Sequence, residues 1–396
     1  MRLPLRVALL AMVLVATAAW IEPAAARPRR AAPAACQQGM FASGALWEIC
    51  VPAQAWNGGL VVYAHGFVKP GAPLAIDTKL LDGTDLATLV PGLGYAFATT
   101  SYRRNGLAIV EGADDIRELV AAAPGVLGSA PARTYLVGAS EGGLIATLLA
   151  EQSPQLFGGA LTTCAPIGDF QRQINYVGDF RALFDYFFPG VIPPSPISIP
   201  QAVIDSWAAP APGGGAFKAG VAVSSPANQA QTQQLLSTAA ASIQAPIDAS
   251  NLLTGTLGVL WYNIYATNDA AAQLGGSPYD NHDRLFLGSS DDTKLNGSTG
   301  VQRFTADSAA KNNIATKYET SGDVSIPLVT LHTTVDEIVP IWHEQLYLAK
   351  ARAHGRSITQ ITVSREGHCN FTSAEILSAF NMVVLNNRAY LPAIRR

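Results

Sequence analysis

Residues 132–150 of the chain, ARTYLVGASEGGLIATLLA, predict a strand, a sharp turn and a helix. Tyr135-Leu136-Val137 is short, apolar and partly β-branched, as expected for a buried strand, and helix-forming residues fill 144–150. Between them lies Gly138-x-Ser140-x-Gly142, a pattern typical of a serine at the tip of a strand-to-helix turn. Small residues are needed there because Cβ atoms would collide with the neighbouring backbone. A purely structural turn has the same pattern, so the rest of the chain decides the interpretation.

The composition is that of a compact globular protein. Hydrophobic residues make up 49% of the 396 residues and charged residues only 14%, which argues against disorder. A formal net charge of −3 provides no basic surface, so we expect no nucleic-acid partner. The length is too great for one ordinary core and predicts a large domain with an insertion, or two domains.

The amino terminus has the features of a secretory signal. Arg2 and Arg6 supply positive charge, residues 7–19 are apolar, and Ala24-Ala25-Ala26 offers a small-residue cleavage site. We predict a signal peptide over residues 1–26, with an uncleaved membrane anchor as the alternative, and a disordered leader over residues 27–35. No later segment holds 18 uninterrupted apolar residues. We therefore expect a secreted or periplasmic protein without stable membrane insertion after processing.

Apolar segments alternate with helical segments in two parts of the chain. The predicted strands cover residues 59–67, 94–100, 135–137, 160–165, 326–332 and 358–364. This alternation predicts a doubly wound, mainly parallel α/β sheet that binds ligands beyond the carboxyl ends of its strands. Residues 167–322 interrupt it and are rich in Pro and Gly, with helical patches. We predict an α/β core of residues 36–166 and 323–396, with residues 167–322 inserted as a mostly helical cap.

Two polar residues follow strands of this predicted sheet. Asp336 comes after strand 326–332, and His368 comes after strand 358–364. Because the carboxyl ends of parallel strands meet at one edge, we expect both residues to lie near Ser140. A serine hydroxyl needs a base to take its proton, and an aspartate fixes the imidazole tautomer of that base. The pattern predicts a triad of Ser140 as nucleophile, His368 as general base and acid, and Asp336 as orienting acid.

Two backbone N–H groups are predicted to form an oxyanion hole beside Ser140. One belongs to Glu141, the residue after the nucleophile, and the other belongs to Phe67 in the turn His65-Gly66-Phe67. His65 is interpreted as a structural residue of that turn. The side chain of Glu141 either complements the helix dipole or acts on His368.

The chain resembles α/β hydrolases of the secreted serine-esterase and lipase type over residues 58–166 and 323–385. The motifs that carry the resemblance are His65-Gly66-Phe67, Gly138-Ala139-Ser140-Glu141-Gly142, Val335-Asp336-Glu337-Ile338-Val339-Pro340 and Gly367-His368. The resemblance implies a variable helical cap between the sixth and seventh strands. We predict hydrolysis of a small-molecule or polymeric carboxylic ester through an acyl-enzyme, without a metal or organic cofactor.

Two other functions fit the same residues. A serine aminopeptidase of this fold would use the triad on amides, and it would need a carboxylate such as Asp179 or Asp185 to hold a free amino group. A catalytically inactive hydrolase fold used as a binding protein is the third hypothesis, and the intact triad argues against it. The acyl length, the alcohol and the oligomeric state stay open at this point.

Four cysteines in an exported chain favour disulfides, with three possible connectivities. Cys164 lies in the predicted strand 160–165, after the helix that follows Ser140, and Cys369 directly follows the predicted catalytic histidine. Both are expected at one rim of the sheet, within the reach of a disulfide. Cys36 and Cys50 would then pair across an amino-terminal hairpin. Buried free thiols are the alternative, and no cysteine or histidine spacing predicts a metal site.

The remaining polar residues have simpler interpretations. His332 and His343 are expected to be packed or at the surface, and the position of Asp169 and Asp179 in the chain makes them poor rivals for the triad acid. Solvated loop carboxylates are favoured over a Ca²⁺ site for a group of four acids whose spacing does not fit an EF-hand loop. These acids are Asp280, Asp283, Asp291 and Asp292.

Overall fold

The structure, a computed structural model, describes residues 35–394 except Gln54 and Pro194, and it leaves out the side chains of residues 387–394. The predicted signal peptide and residues 27–34 of the predicted leader lie outside the described residues. Ala35, which we assigned to the leader, is instead the first residue of a strand, because it pairs with Val51.

Eight strands form one sheet in the order β1-β2-β4-β3-β5-β6-β7-β8. The strands are β1 (Ala35–Met40), β2 (Leu46–Val51), β3 (Gly59–Ala64), β4 (Ala96–Thr100), β5 (Arg133–Ala139), β6 (Gly159–Thr163), β7 (Leu328–Val335) and β8 (Thr359–Glu366). Strand β2 runs antiparallel to both β1 and β4, and all other neighbours are parallel. The predicted α/β fold with a mainly parallel sheet is confirmed, and it is the α/β-hydrolase fold.

Helices cover both faces of the sheet and fill the segment between β6 and β7. The helices are α1 (Leu86–Gly92), α2 (Ile109–Leu127), α3 (Glu141–Gln152), α4 (Phe170–Phe187), α5 (Gln201–Ser206), α6 (Gly215–Ser224), α7 (Gln229–Ile243), α8 (Leu252–Leu274), α9 (Asp292–Asn296), α10 (Ser308–Asn313), α11 (Trp342–Ala353) and α12 (Ser373–Ile394). A π-helical turn, Ile314–Tyr318, follows α10. Helices α4 to α10 all lie within residues 167–322, here called the inserted segment. Across residues 35–394, no helix combines the length and the apolar character needed to cross a membrane.

The core is divided between the two faces of the sheet. Leu60 and Val62 of β3 pack with α2 and α3 on one face, while Val61 and Tyr63 pack with α12 on the other. This alternation follows from the two-residue period of a strand, and both sets are apolar because a central parallel strand is covered on both sides. Strand β8, which has a neighbour only on one side, is partly exposed along its length.

Most buried apolar residues of the inserted segment form one cluster, which Ile338, Val339 and Trp342 from outside the segment complete. Phe180 and Phe184 of α4 are fully buried against Leu235 of α7 and Leu260 of α8. The aromatic residues around position 180 are therefore mainly packing residues. Because α4 and α8 also reach the carboxyl edge of the sheet, they bring side chains of the inserted segment next to Ser140.

Candidate active site

Ser140 lies at the tip of the turn between β5 and α3. Its backbone φ is +56°, in the left-handed region that residues other than glycine rarely adopt. A Cβ atom added at Gly138 would lie 2.1 Å from the carbonyl oxygen of Gly142, and one added at Gly142 would lie 2.0 Å from that of Ala64. Both glycines are therefore required by close backbone packing, as the sequence pattern predicts.

The structure brings Ser140, His368 and Asp336 into one hydrogen-bonded row. Ser140 Oγ lies 2.8 Å from His368 Nε2. His368 Nδ1 lies 2.8 Å from Asp336 Oδ2 and 3.0 Å from Oδ1. When Nδ1–H donates to the carboxylate, Nε2 is left to accept the serine proton. The arrangement has the geometry of a nucleophile, a base and an orienting acid, and the catalytic roles of the three residues stay predictions.

Asp336 is fully buried and held in place by its own loop. Its Oδ1 accepts the backbone N–H groups of Ile338 at 3.0 Å and Val339 at 2.9 Å. Burial alone would raise the pKa of Asp336, but the adjacent His368 and His332 outweigh burial and hold the pKa well below its usual range. Asp336 is therefore a carboxylate at any pH at which an imidazole can act as a base.

His332 is a residue of this site that we did not identify from the sequence. It is fully buried in β7, and its Nε2 lies 3.5 Å from Asp336 Oδ2 and 2.8 Å from the carbonyl oxygen of Val339. Its Nδ1 lies 3.2 Å from Glu344 Oε1. One signal in the sequence could have identified His332. It lies four residues before Asp336, in the strand that Asp336 directly follows.

The two predicted oxyanion donors lie beside Ser140. A Cβ atom on Gly66 would lie 3.2 Å from Ser140 Cβ, so the turn that carries Phe67 packs directly against the nucleophile. Neither the N–H of Phe67 nor that of Glu141 donates to an acceptor in the described part of the chain. Both residues line the same cavity as Ser140. These two amides are therefore available to a ligand oxygen near the nucleophile, and their role stays a prediction.

An apolar cavity of about 140 Å³ opens beside Ser140. Its walls come from the core and from the inserted segment, and they include Phe67, Ile174, Val177, Tyr262, Ala266 and Ile338. Tyr262 of α8 lines the cavity together with Ser140, and its ring lies 5.6 Å from the ring of Phe67. Helix α8 is not among the helical patches predicted from the sequence, so Tyr262 was not predicted as a site residue either.

Both predicted disulfides are present. Cys36 and Cys50 are direct partners across the β1–β2 hairpin, and they are bonded. Cys164, which follows β6, is bonded to Cys369, with 5.2 Å between their Cα atoms. The second bond joins the loop that carries His368 to the end of β6. Disulfides favour an oxidising compartment, as expected for an exported chain.

The other polar candidates have structural roles. His65 is buried, with its ring stacked on Tyr102 at 4.0 Å and its Nδ1 2.7 Å from the carbonyl oxygen of Gly66. Asp169 caps α4 by accepting the N–H of Arg172, and Asp179 pairs with Arg284 at 2.5 Å. Neither acid contacts the triad.

The four acids considered for Ca²⁺ do not form a common cluster in the described residues. Asp280 lies 3.4 Å from Lys311 Nζ, and Asp291 caps α9. Asp292 accepts the N–H and the hydroxyl of Ser289. Asp283 is exposed. Turn formation and solvation account for these carboxylates.

Comparison with known proteins identifies relatives of the fold only. No protein-family profile matches the chain, and no curated protein matches it. Among solved structures, an acylaminoacyl peptidase of Pyrococcus horikoshii has a TM-score of 0.42 at 11% identity and covers 86% of this chain. A feruloyl esterase B of Aspergillus oryzae has a TM-score of 0.45 at 13% identity and covers 85% of this chain. A bacterial brefeldin A esterase has a TM-score of 0.43 at 13% identity and covers 93% of this chain.

These three proteins are members of the α/β-hydrolase superfamily. The chain covers 38% of the peptidase structure, 73% of the feruloyl esterase and 81% of the brefeldin A esterase. It thus spans about two fifths of the peptidase. At such identities the likeness concerns the fold alone, so any function has to be argued from the site itself.

Proposed function

We propose that this protein is a secreted serine hydrolase that cleaves carboxylic esters through an acyl-enzyme. The observation that carries the proposal is the hydrogen-bonded row of Ser140, His368 and Asp336 beside an apolar cavity. The two disulfides support export from the cytoplasm. The inserted segment, which forms one side of the cavity, would act as a cap over the substrate.

Each step assigns one task to one residue. Ser140 Oγ attacks the ester carbonyl while His368 Nε2 takes its proton, and the N–H groups of Phe67 and Glu141 donate to the carbonyl oxygen as it becomes negative. The bond to the alkoxy group then breaks, and His368 gives the proton to the leaving alcohol. Water attacks the acyl-enzyme with His368 again as base, which releases the carboxylic acid and restores Ser140. Asp336 stabilises the imidazolium in both halves.

The charges around the site favour esters over amides with a free amino terminus. The two acids that could hold a substrate ammonium group are already paired with arginines. Asp179 pairs with Arg284 at 2.5 Å, and Asp185 pairs with Arg181 at 2.8 Å. An ammonium group would have to displace Arg284 or the fully buried Arg181 from one of these pairs, and this would leave a guanidinium group without its partner.

Active-site labelling combined with substrate turnover tests the proposal. A fluorophosphonate should label the wild-type protein once, on the Ser140 peptide, and the protein should hydrolyse p-nitrophenyl butanoate. Ser140→Ala should lose both, with less than about 1% of the hydrolysis left. The control Ser153→Ala, at the other end of α3, should keep both.

The same experiment separates the three hypotheses. Labelling together with cleavage of aminoacyl anilides, but not of esters, would support the aminopeptidase hypothesis. No labelling and no turnover would support the inactive binding protein. Labelling and turnover that persist in Ser140→Ala would show that the nucleophile lies elsewhere.

A further inference from the structure

The orientation of the cavity relative to the triad indicates which part of an ester it holds. Ser140, Glu141 and Phe67, which carry the proposed nucleophile and oxyanion donors, line the cavity. Among the described residues, the lining includes neither His368 nor Cys369. The leaving alcohol has to lie next to His368, because this histidine delivers its proton. The cavity therefore lies on the acyl side of the scissile bond.

Four polar side chains of the cavity wall, beginning with Gln173 and Asn263, already have partners inside the protein. Gln173 donates to the carbonyl oxygen of Ile338 at 2.9 Å, and its Oε1 lies 2.9 Å from His343 Nε2. Asn263 accepts from Arg181 at 2.9 Å and donates to the Pro196 carbonyl oxygen at 3.1 Å.

Two further wall residues are satisfied in the same way. Tyr279 donates to Asp179 at 2.9 Å, and Glu141 accepts the N–H of Ala108 at 2.7 Å. A charged or hydroxylated acyl group would lose its hydration without gaining these groups as partners, which disfavours its entry.

The volume of the cavity limits the size of the acyl group. A cavity of about 150 Å³ lined by apolar side chains holds one benzene molecule, and the space in this cavity is about 140 Å³. We propose that the enzyme, acting as the ester hydrolase proposed above, selects uncharged acyl groups of about four to six carbon atoms or a single aromatic ring.

A series of p-nitrophenyl esters tests this selectivity, because the alcohol stays constant. The acyl groups are acetyl, butanoyl, hexanoyl, octanoyl, dodecanoyl and benzoyl. For the wild-type protein, kcat/KM should be highest for butanoyl, hexanoyl or benzoyl and should fall at least about tenfold by dodecanoyl. A rate that stays level or rises to dodecanoyl would overturn the proposal. If no ester is hydrolysed at all, the proposed function itself fails.

Variants in the cavity wall provide the matched comparison. Ala266→Phe reduces the cavity and should lower kcat/KM for hexanoate at least about tenfold, while acetate changes less than about threefold. Val177→Ala enlarges the cavity and should move the preference toward octanoate. Val221→Ala, at an exposed position of α6, should leave the profile unchanged. If Ala266→Phe lowers all esters equally, the cavity does not hold the acyl group.

The hydrogen bonds of His332 carry a second, independent inference. Each of its ring nitrogens faces only acceptors: Nε2 faces the Val339 carbonyl oxygen and Asp336 Oδ2, and Nδ1 faces Glu344 Oε1. An imidazole nitrogen next to an acceptor has to carry a proton to form a hydrogen bond. We infer that His332 is a buried imidazolium and a positioning residue, which keeps Asp336 ionised and oriented toward His368.

The groups around His332 agree with a positive charge. Glu344 Oε2 accepts the Gln360 amide at 2.6 Å and the Thr330 hydroxyl, so the oxygen that does not face His332 already has its own donors. Burial acts to lower the pKa of His332, but hydrogen bonds to Asp336 and Glu344 outweigh it and raise the pKa to about 10. The other titratable groups nearby are His368, beyond Asp336, and His343.

His343 offers a matched control for His332. It is also fully buried, but its Nδ1 accepts the N–H of Gly168 at 3.0 Å and its Nε2 faces Gln173 Oε1. One acceptor nitrogen and one donor nitrogen make His343 a neutral imidazole. It does not touch the triad.

Nitrogen NMR and pH profiles test the role of His332. In the wild-type protein at neutral pH, both ring nitrogens of His332 should be protonated, whereas His343 should show one bare nitrogen. His332→Gln removes a positive charge next to the triad, so the acidic limb of kcat/KM should move up by about one pH unit. His343→Gln should not move it. Equal shifts of the acidic limb in the two variants would overturn the inference. An unprotonated ring nitrogen on His332 of the wild-type protein would also overturn it, and this result does not depend on whether His332→Gln folds.

Discussion

Replacing Glu141 by Gln is expected to make the stability of the protein less dependent on pH. Glu141 is buried directly after Ser140, and its Oε1 accepts the N–H of Ala108. Burial is the main reason why the pKa of Glu141 is raised from 4.5 to about 8. The folded state therefore prefers the protonated acid. The contribution of protonated Glu141 to the stability of the fold is complete below pH 4.5 and is lost as the pH rises through about 8.

The rise in pKa sets the size of the effect. At about 1.4 kcal/mol per pH unit, the rise from 4.5 to about 8 corresponds to about 5 kcal/mol of unfolding free energy. Gln has nearly the shape of the protonated acid and keeps an oxygen that can accept from Ala108. Near pH 4.5, the unfolding free energy of Glu141→Gln should therefore be about that of wild type. Near pH 9, it should exceed that of wild type by about 5 kcal/mol.

Urea unfolding from about pH 5 to about pH 9, followed by tryptophan fluorescence without reductant, measures this difference. The control Glu118→Gln removes a carboxylate from an exposed position of α2 and should show no comparable trend. A difference between Glu141→Gln and wild type that is the same at every pH would refute the reasoning. A trend of equal size in Glu118→Gln would refute it as well.

Activity provides a second readout of Glu141. When it ionises, a negative charge appears on the residue whose N–H is proposed to stabilise the oxyanion, so wild-type kcat should fall above about pH 8. Glu141→Gln should keep most of its activity at neutral pH and lose this alkaline limb. A large loss of activity at neutral pH would show that the acid itself takes part in the reaction.

Four further substitutions test the site. Asp336→Asn should lower kcat by about 10³–10⁴-fold in an ester assay, because it favours the wrong histidine tautomer; a loss below tenfold would mean that another acid serves. Cys369→Ser should lower both kcat and Tm, since the chain-entropy relation gives about 5 kcal/mol for its 205-residue loop. Cys36→Ser should lower Tm with little effect on kcat, and equal kcat values in the two cysteine variants would contradict the proposed tether. Phe67→Leu should retain most of the kcat, because the proposed role of Phe67 belongs to its N–H; a hundredfold loss in a folded variant would implicate the ring.

The sheet and the triad geometry follow from local rules that a single sequence displays. Strand β5, the turn at Ser140 and helix α3 could be predicted because apolar runs and obligatory glycines are short-range signals. Asp336 and His368 could be placed because each comes soon after a strand. Parallel strands then bring them to one edge, although 228 residues separate Ser140 from His368.

The wall of the cavity could not be predicted in the same way. Helix α8 contains Gly255 and Gly258 as well as several threonines, so its intrinsic helix propensity is low. It is held instead by tertiary packing, with Val259, Leu260 and Ile264 buried in the inserted segment. Tyr262 reaches Ser140 only through that packing, and no local pattern reports it. The charge of His332 likewise depends on acceptors that the fold places around it.

The disulfide at Cys369 has a physical reason in the position of β8. This strand pairs with β7 alone, and its residues are partly exposed. Strands with few buried contacts open at a lower free energy than central ones. His368, the proposed base, comes two residues after the end of β8, and a catalytic base that moves by about 1 Å loses much of its effect. The bond to Cys164 attaches this loop to the end of β6, a fully buried strand, so the proposed base is held by the centre of the sheet rather than by its edge.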